Sequence, residues 1–194
     1  MQASLSIAFK EWAVVVEALG QGEQIIILRK GGIREDRGEF HVDHREFWLF
    51  PTQFHEAERA IIPSKRPAVG EMSARMVKDA VDIKFLAVAD PVLRITEVEL
   101  LGRLQGRHIW NEQALRQRFE FGREPGLQVL ITRVYRLSTP QQVAMRESYG
   151  GCKSWVELER MLTGDVTPVL TDTEFATQRD EICKLLSDHA IAHP

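Results

Sequence analysis

Two runs crowded with β-branched residues, Trp12–Leu19 (WAVVVEAL) and Gln24–Lys30 (QIIILRK), lie near the start of the chain with only Gly20–Glu23 (GQGE) between them. Valine and isoleucine lose rotamer freedom in a helix and pack well on a pleated surface, so each run reads as a strand. The short glycine-containing link suits a tight reversal, and the pair is expected to form an antiparallel hairpin. A hairpin at this point biases the rest of the sheet toward antiparallel pairing.

Further strands are expected at Glu46–Pro51 (EFWLFP), ended by its proline, at Ala80–Asp90, and at Leu127–Leu137, closed by Ser138–Pro140. Helices are expected from a Thr52 cap through QFHEAERAI as far as Pro63 and Pro67, and over Val69–Lys78. The clearest helix is HIWNEQALRQRFEFG, with Asn111 as N-cap, Trp110 and Leu115 as a hydrophobic staple, and Gly122 as the stop. Thr171 and Glu174 form a capping box for a last helix carrying Phe175, Ile182 and Leu186 on its apolar face. PVLRITEVELLGRL and WVELERML fit either strand or helix. Without regular βαβ alternation a doubly wound sheet is excluded. The expected class is α+β: a mixed, mainly antiparallel sheet, in one form a partly open barrel, flanked by helices.

At 194 residues and 44% hydrophobic, the chain suffices for one domain over 1–194, with the C-terminal helix (about 171–187) either integral or an appendage. The formal net charge of -3 excludes a wholesale electrostatic grip on nucleic acid, so any such grip must be local. No apolar stretch reaches membrane-spanning length, and Glu11 and Glu17 interrupt the run that superficially resembles a leader peptide. Two cysteines, Cys152 and Cys183, make no disulfide framework, and a cytoplasmic protein with reduced thiols is expected.

The chemistry-bearing motifs are weak. IIILRKGGIRED, residues 25–36, lacks the P-loop lysine and hydroxyl, so Gly31 and Gly32 read as a turn or as an anion-binding nest flanked by Arg29 and Lys30. His41, His44 and His55 have no H-E-x-x-H helix or cysteine partner, so no metal or cofactor is expected. Asp82 and Lys84, with Asp79 and Asp90 nearby, have the composition of a metal-dependent nuclease but share a strand face like a surface ion pair. Cys152 in YGGCKSW reads as a small buried thiol or as a nucleophile near Lys153.

Arginine is the least bland feature, with eight arginines against five glutamates between Arg94 and Arg136. Strand alternation puts Arg133 and Tyr135 on the face of Val129 and Ile131, where Arg133 either pairs with a buried Glu17 or lines a cleft. Arg136 falls on the opposite face. An anion- or nucleic-acid-binding cleft would combine Arg29, Lys30, Arg133 and Arg136 with Trp48 or Trp110 as a stacking surface.

The blocks KEWAVVVEALGQGEQIIILRKGGI, FWLFPTQFHE, HIWNEQALRQRF, RVYRL and YGGCKSWVEL, spread from Lys10 to Leu158, resemble the bacterial family of the domain of unknown function numbered 1802. Some members of that family occur with a restriction-endonuclease-like domain, so the resemblance implies a role near restriction–modification or DNA processing. It assigns no catalytic residue or ligand. The leading expectation is a non-catalytic accessory module binding DNA, RNA or another anion, with a DNA-processing protein as a candidate partner. The alternatives are a small metal-dependent hydrolase or nuclease and a protein-interaction domain.

Overall fold

The computed structural model describes residues 1–30, 42–53, 57–66, 79–122, 124–151, 153–187 and 191–192. Among these, the strands are β1 (Gln2–Trp12), β2 (Ile26–Arg29), β3 (Glu46–Thr52), β4 (Ala80–Ile95), β5 (Leu127–Ala144), β6 (Trp155–Pro168) and β7 (Ile191–Ala192). The α-helices are α1 (Ala13–Gly20), α2 (Ala57–Ala60), α3 (Glu99–Arg103), α4 (Glu112–Glu120) and α5 (Asp172–Leu186). The strands form one sheet in the order β2-β5-β6-β1-β3-β4-β7, and a further β4–β5 ladder closes five of them into a ring of hydrogen bonds. Only β1 and β3 pair in parallel; every other ladder is antiparallel. The α+β class with a mixed, mainly antiparallel sheet is therefore as expected.

The opening hairpin is not. Ala13–Gly20 is a helix, and β2 pairs with β5 instead, Ile26 facing Ile131 and Arg29 facing Gln128. Every residue of α1 except Glu17 is buried. A valine disfavours a helix by a few tenths of a kcal/mol, whereas its full burial contributes about 1.5–3 kcal/mol, so tertiary packing overrides local preference. The GQGE link is a helix stop. Gly22 N–H donates to Leu19 O at 3.1 Å and Glu23 N–H to Ala18 O at 3.0 Å, the paired bonds of a Schellman cap. Gly22 adopts the left-handed conformation this cap requires, at φ 73°.

Other boundaries shift for identifiable reasons. β1, unanticipated from sequence, lies between β6 and β3 in the ring. β5 continues through Pro140 because the ladder to β4 is irregular there. Arg136 faces Phe85 and the next pair is Gln141 with Ile83, which leaves Pro140 where no ladder donor is needed. β3 likewise runs past Pro51 to Thr52, whose hydroxyl donates to Glu11 O (3.0 Å) rather than capping a helix. Of the ambiguous segments, PVLRI belongs to β4, ELLGR to α3 and WVELERML to β6. Both predicted caps form: Asn111 Oδ1 accepts from Ala114 N–H at 2.8 Å, and Thr171 and Glu174 complete a capping box. The helix expected over Val69–Lys78 lies outside the described residues.

Gly20, the last residue of α1, fixes where that helix meets the sheet. A Cβ there would stand 2.1 Å from Phe85 Cζ, and Phe85 is fully buried on β4. Arg136 packs on the same ring, its Cζ 4.9 Å from the Phe85 ring centre, and its Nη2 donates to Gly20 O at 2.6 Å. Gly20→Ala is expected to destabilise the fold by about 1–3 kcal/mol, read as a lowered urea midpoint at unchanged m-value.

His108, between α3 and α4, is 8% exposed, and neither ring nitrogen has a hydrogen-bond partner of good geometry among the described residues. Burial lowers its pKa from 6.5 to about 4, against smaller opposing contributions from the backbone of Trp110 and of His108 itself. The folded state holds the ring neutral while the unfolded chain takes up a proton. The associated stability, on the order of 3 kcal/mol, is complete above about pH 6.5 and gone below about pH 4. Urea unfolding across that window is expected to show this decline, and His108→Leu to flatten it.

Candidate functional site

The parallel pairing of β1 and β3 brings the carboxyl ends of both strands to one edge, with Glu11 facing Pro51 and Trp12 facing Thr52. Glu11 is 1% exposed. Its Oε1 accepts from the Trp12 N–H at 2.7 Å, and its Oε2 lies 3.6 Å from Arg29 Nη1. Arg29, at the end of β2, also donates through Nη2 to Lys10 O at 2.6 Å and stacks on Phe9, 4.8 Å from the ring centre. Its Nε is buried with no hydrogen-bond partner. Lys30 reaches the far end of α4, where Nζ donates to Phe119 O (3.2 Å) and to Glu124 O.

The second cation comes from α4. Isolated bridging of Trp110 with Ile61, and Asn111 N–H to Ala60 O at 2.9 Å, anchor the start of this helix beside α2. Leu115 and Phe119 turn inward, and Arg118 shares their side of the helix. The Arg118 guanidinium lies 3.8 Å from the Trp110 ring centre and 4.9 Å from that of Trp12. The two indoles themselves are 4.5 Å apart. Trp110 is 2% exposed, so it forms a floor beneath Arg118, and its Nε1 has no hydrogen-bond partner.

Arg118 makes no side-chain hydrogen bond or ion pair among the described residues; its contacts are the two indoles. Burial lowers its pKa from 12.5 to about 10, with Glu11 acting to raise it and Arg29 adding to the fall. Two guanidiniums therefore face one carboxylate, a local surplus of one positive charge in a partly desolvated place. An arrangement rich in N–H donors and short of acceptors suits an anion.

The other arginines expected at the site serve the scaffold. Arg133 lies opposite Val88 on β4 and bonds to the start of α5, through Thr171 O at 3.1 Å and Asp172 Oδ1 at 2.6 Å, with its guanidinium over Phe175. Glu17 is not its partner; that carboxylate accepts from Gln21 Nε2 at 3.0 Å. The exposed end of α5 supplied the countercharge that sequence reasoning sought in the core. Arg136 caps α1, as described above. Gln128, the β5 partner of Arg29, precedes Arg133 by five residues, about 17 Å of strand. Arg29 and Lys30 thus belong to one end of the sheet, and Arg133 and Arg136 to another. Trp48 is buried and donates its indole N–H to Leu5 O at 3.0 Å, so it offers no stacking face.

Gly31, Gly32, His41, His55, Arg123 and Cys152 lie outside the described residues. His44 packs against the edge of Trp155, 5.3 Å between ring centres. Asp82 and Lys84 are exposed on β4, and Asp90 pairs with Arg45 at 3.2 Å. Among the described residues, no group of three or more histidine, cysteine or carboxylate side chains is placed to hold a metal ion. No described helix is long and apolar enough to cross a membrane. Arg118 was missed among the sequence candidates, although its spacing from Leu115 and neighbouring Phe119 places a lone cation on the apolar side of α4.

Fold and site together define an α+β domain, built on a ring of mainly antiparallel strands, with a guanidinium that makes no ion pair among the described residues seated on two indoles. By sequence the chain belongs to the family described as Domain of unknown function (DUF1802), whose model matches residues 8–181. No curated protein matches it. Among solved structures, the crystal structure of ASCH from Zymomonas mobilis is similar at 13% identity and a TM-score of 0.43, covering 90% of this chain and 93% of that one. A mutant of the same Zymomonas protein is similar at 14% identity and a TM-score of 0.44, covering 90% and 96%.

Glu11 is the countercharge that keeps Arg29 and Arg118 compatible. Glu11→Gln preserves the shape and removes the charge, leaving two like charges with nothing between them. A loss of about 3–5 kcal/mol in urea unfolding is expected. A loss below about 1 kcal/mol would show that the carboxylate does not balance them.

Proposed function

We propose that this chain is a non-catalytic binding module for nucleic acid, gripping phosphate through Arg118 with Arg29 and Lys30 beside it. The observation that carries the reading is Arg118 itself: a half-buried guanidinium supported by Trp110 and Trp12, making no hydrogen bond or ion pair among the described residues and sharing the Glu11 carboxylate with Arg29 only at longer range. An arginine needed only for the fold finds acceptors, as Arg133 and Arg136 do. An arginine with none is placed to take a ligand's oxygens, and guanidinium matches phosphate geometry better than ammonium does. Beside restriction–modification or DNA-processing machinery, such a module would act as an accessory that holds the nucleic acid for another protein.

The test is fluorescence anisotropy with labelled single-stranded and duplex oligonucleotides at several salt concentrations. Binding is expected to weaken as salt rises, with a log–log slope of about 0.7 to 0.9 per phosphate neutralised. Arg118→Gln is expected to weaken binding at least tenfold and to reduce that slope by about one contact. Losing its contacts with the two indoles is expected to cost about 1–2 kcal/mol in urea unfolding, and circular dichroism to show the Arg118→Gln protein folded. Absence of wild-type binding at low salt would overturn the proposal, as would an Arg118→Gln protein that binds normally.

A further inference from the structure

Among the described residues, the large apolar side chains left in water are three methionines and one aromatic, Phe121, which is 55% exposed. The backbone holds it there. Phe121 ends α4 in an extended conformation (φ -63°, ψ 141°), with its N–H on Arg118 O at 3.3 Å. Gly122 follows at φ 88°, and Gly126 N–H returns to Phe119 O at 2.9 Å. The turn therefore projects the ring beyond the last helical residue while the chain doubles back to β5.

The carbonyls at this helix end, ordinarily a negative pole, are covered by a cation. Carbonyls at the C-terminus of a helix repel phosphate. Here Lys30 lies across them, bonded to Phe119 O and Glu124 O, with its Cε 3.8 Å from where a Cβ of Gly122 would stand. Arg94 holds the Glu124 carboxylate at 3.5 Å. Arg118 precedes Phe121 by three residues, about one helical turn. The exposed ring thus belongs to the same helix end that Lys30 masks, three residues after an Arg118 that makes no ion pair among the described residues.

We propose that Phe121 stacks on an unpaired base of a single-stranded nucleic acid whose phosphates contact Lys30 and Arg118. This rests on the nucleic-acid reading above and adds the class of strand. Bases inside a duplex have both faces covered by their neighbours, so a protruding phenyl ring selects bases that are free to splay.

Three probes of equal length separate base from backbone: a labelled single strand, an abasic strand carrying the same phosphates, and a duplex. Phe121→Ala is expected to weaken single-strand binding roughly tenfold with the salt slope unchanged, and to leave abasic-strand affinity as in wild type. Phe121→Trp is expected to restore single-strand binding, and circular dichroism to show both variants folded. Single-strand binding by Phe121→Ala within twofold of wild type, or equal weakening on the abasic strand, would overturn the stacking role while leaving the phosphate grip standing. Failure of the wild type to bind any of the three would remove both.

Discussion

Strands β1 and β3 run in parallel, and two parallel neighbours cannot be joined by a tight turn; the chain must leave the sheet and cross over it. Here the crossover begins with α1, which starts directly at the end of β1 and packs against β3. That demand explains a helix made of residues better suited to strands. Once the chain has to return over the sheet, the Val14–Val16 segment is buried either way, and helical hydrogen bonds satisfy its backbone without a neighbouring strand. The same pairing puts Glu11 and Thr52 side by side and commits a carboxylate to the interior.

A buried carboxylate needs cations, and the site follows from how they are divided. Arg29 provides the direct partner but spends its Nη2 on Lys10 O, while Glu11 spends one oxygen on the Trp12 backbone. Arg118 arrives from another element with its face satisfied by indoles and its N–H groups unclaimed by any described residue. Acceptor accounting therefore separates the arginines more sharply than charge counting. Arg133 and Arg136 are equally conspicuous in sequence, yet each closes the terminus of a helix, α5 and α1 respectively. They secure the elements that surround the ring.

What the sequence made legible was local. The Asn111 and Thr171 caps depend on atoms three residues apart, and both formed as their spacing implied. Strand alternation placed Arg133 on a largely buried face correctly, with an 11% exposed side chain, because alternation is also local. Its partner was missed because Asp172 is distant in sequence and fully exposed, where Glu17 lay in an apolar run that looked buried. In WAVVVEAL a run apolar at almost every position carries no period, so strand and buried helix were indistinguishable without tertiary context. The Gly22 cap in GQGE was the available signal against the hairpin. Arg29 and Lys30 were found by their proximity in sequence to one another. Arg118 shares α4 with Arg116, which is exposed beside Glu120, and composition does not distinguish the two.

The chain's net charge of -3 bears on why the site is built from so few cations. A broadly basic face attracts phosphate over long distances, but solvated charges are screened beyond about 8 Å at physiological salt. A net acidic surface has no such field to rely on. Its contacts must act at short range, where desolvation strengthens each one and where geometry matters more than number. A guanidinium seated on Trp110 and Trp12 meets that requirement: the indole faces stabilise the cation without occupying its N–H groups. The neighbouring Glu11 offsets part of its charge, but that one carboxylate is shared with Arg29, which lies 3.6 Å from it. The acidic balance of the whole and the clustering of Arg29 and Arg118 about one carboxylate are thus compatible parts of one surface.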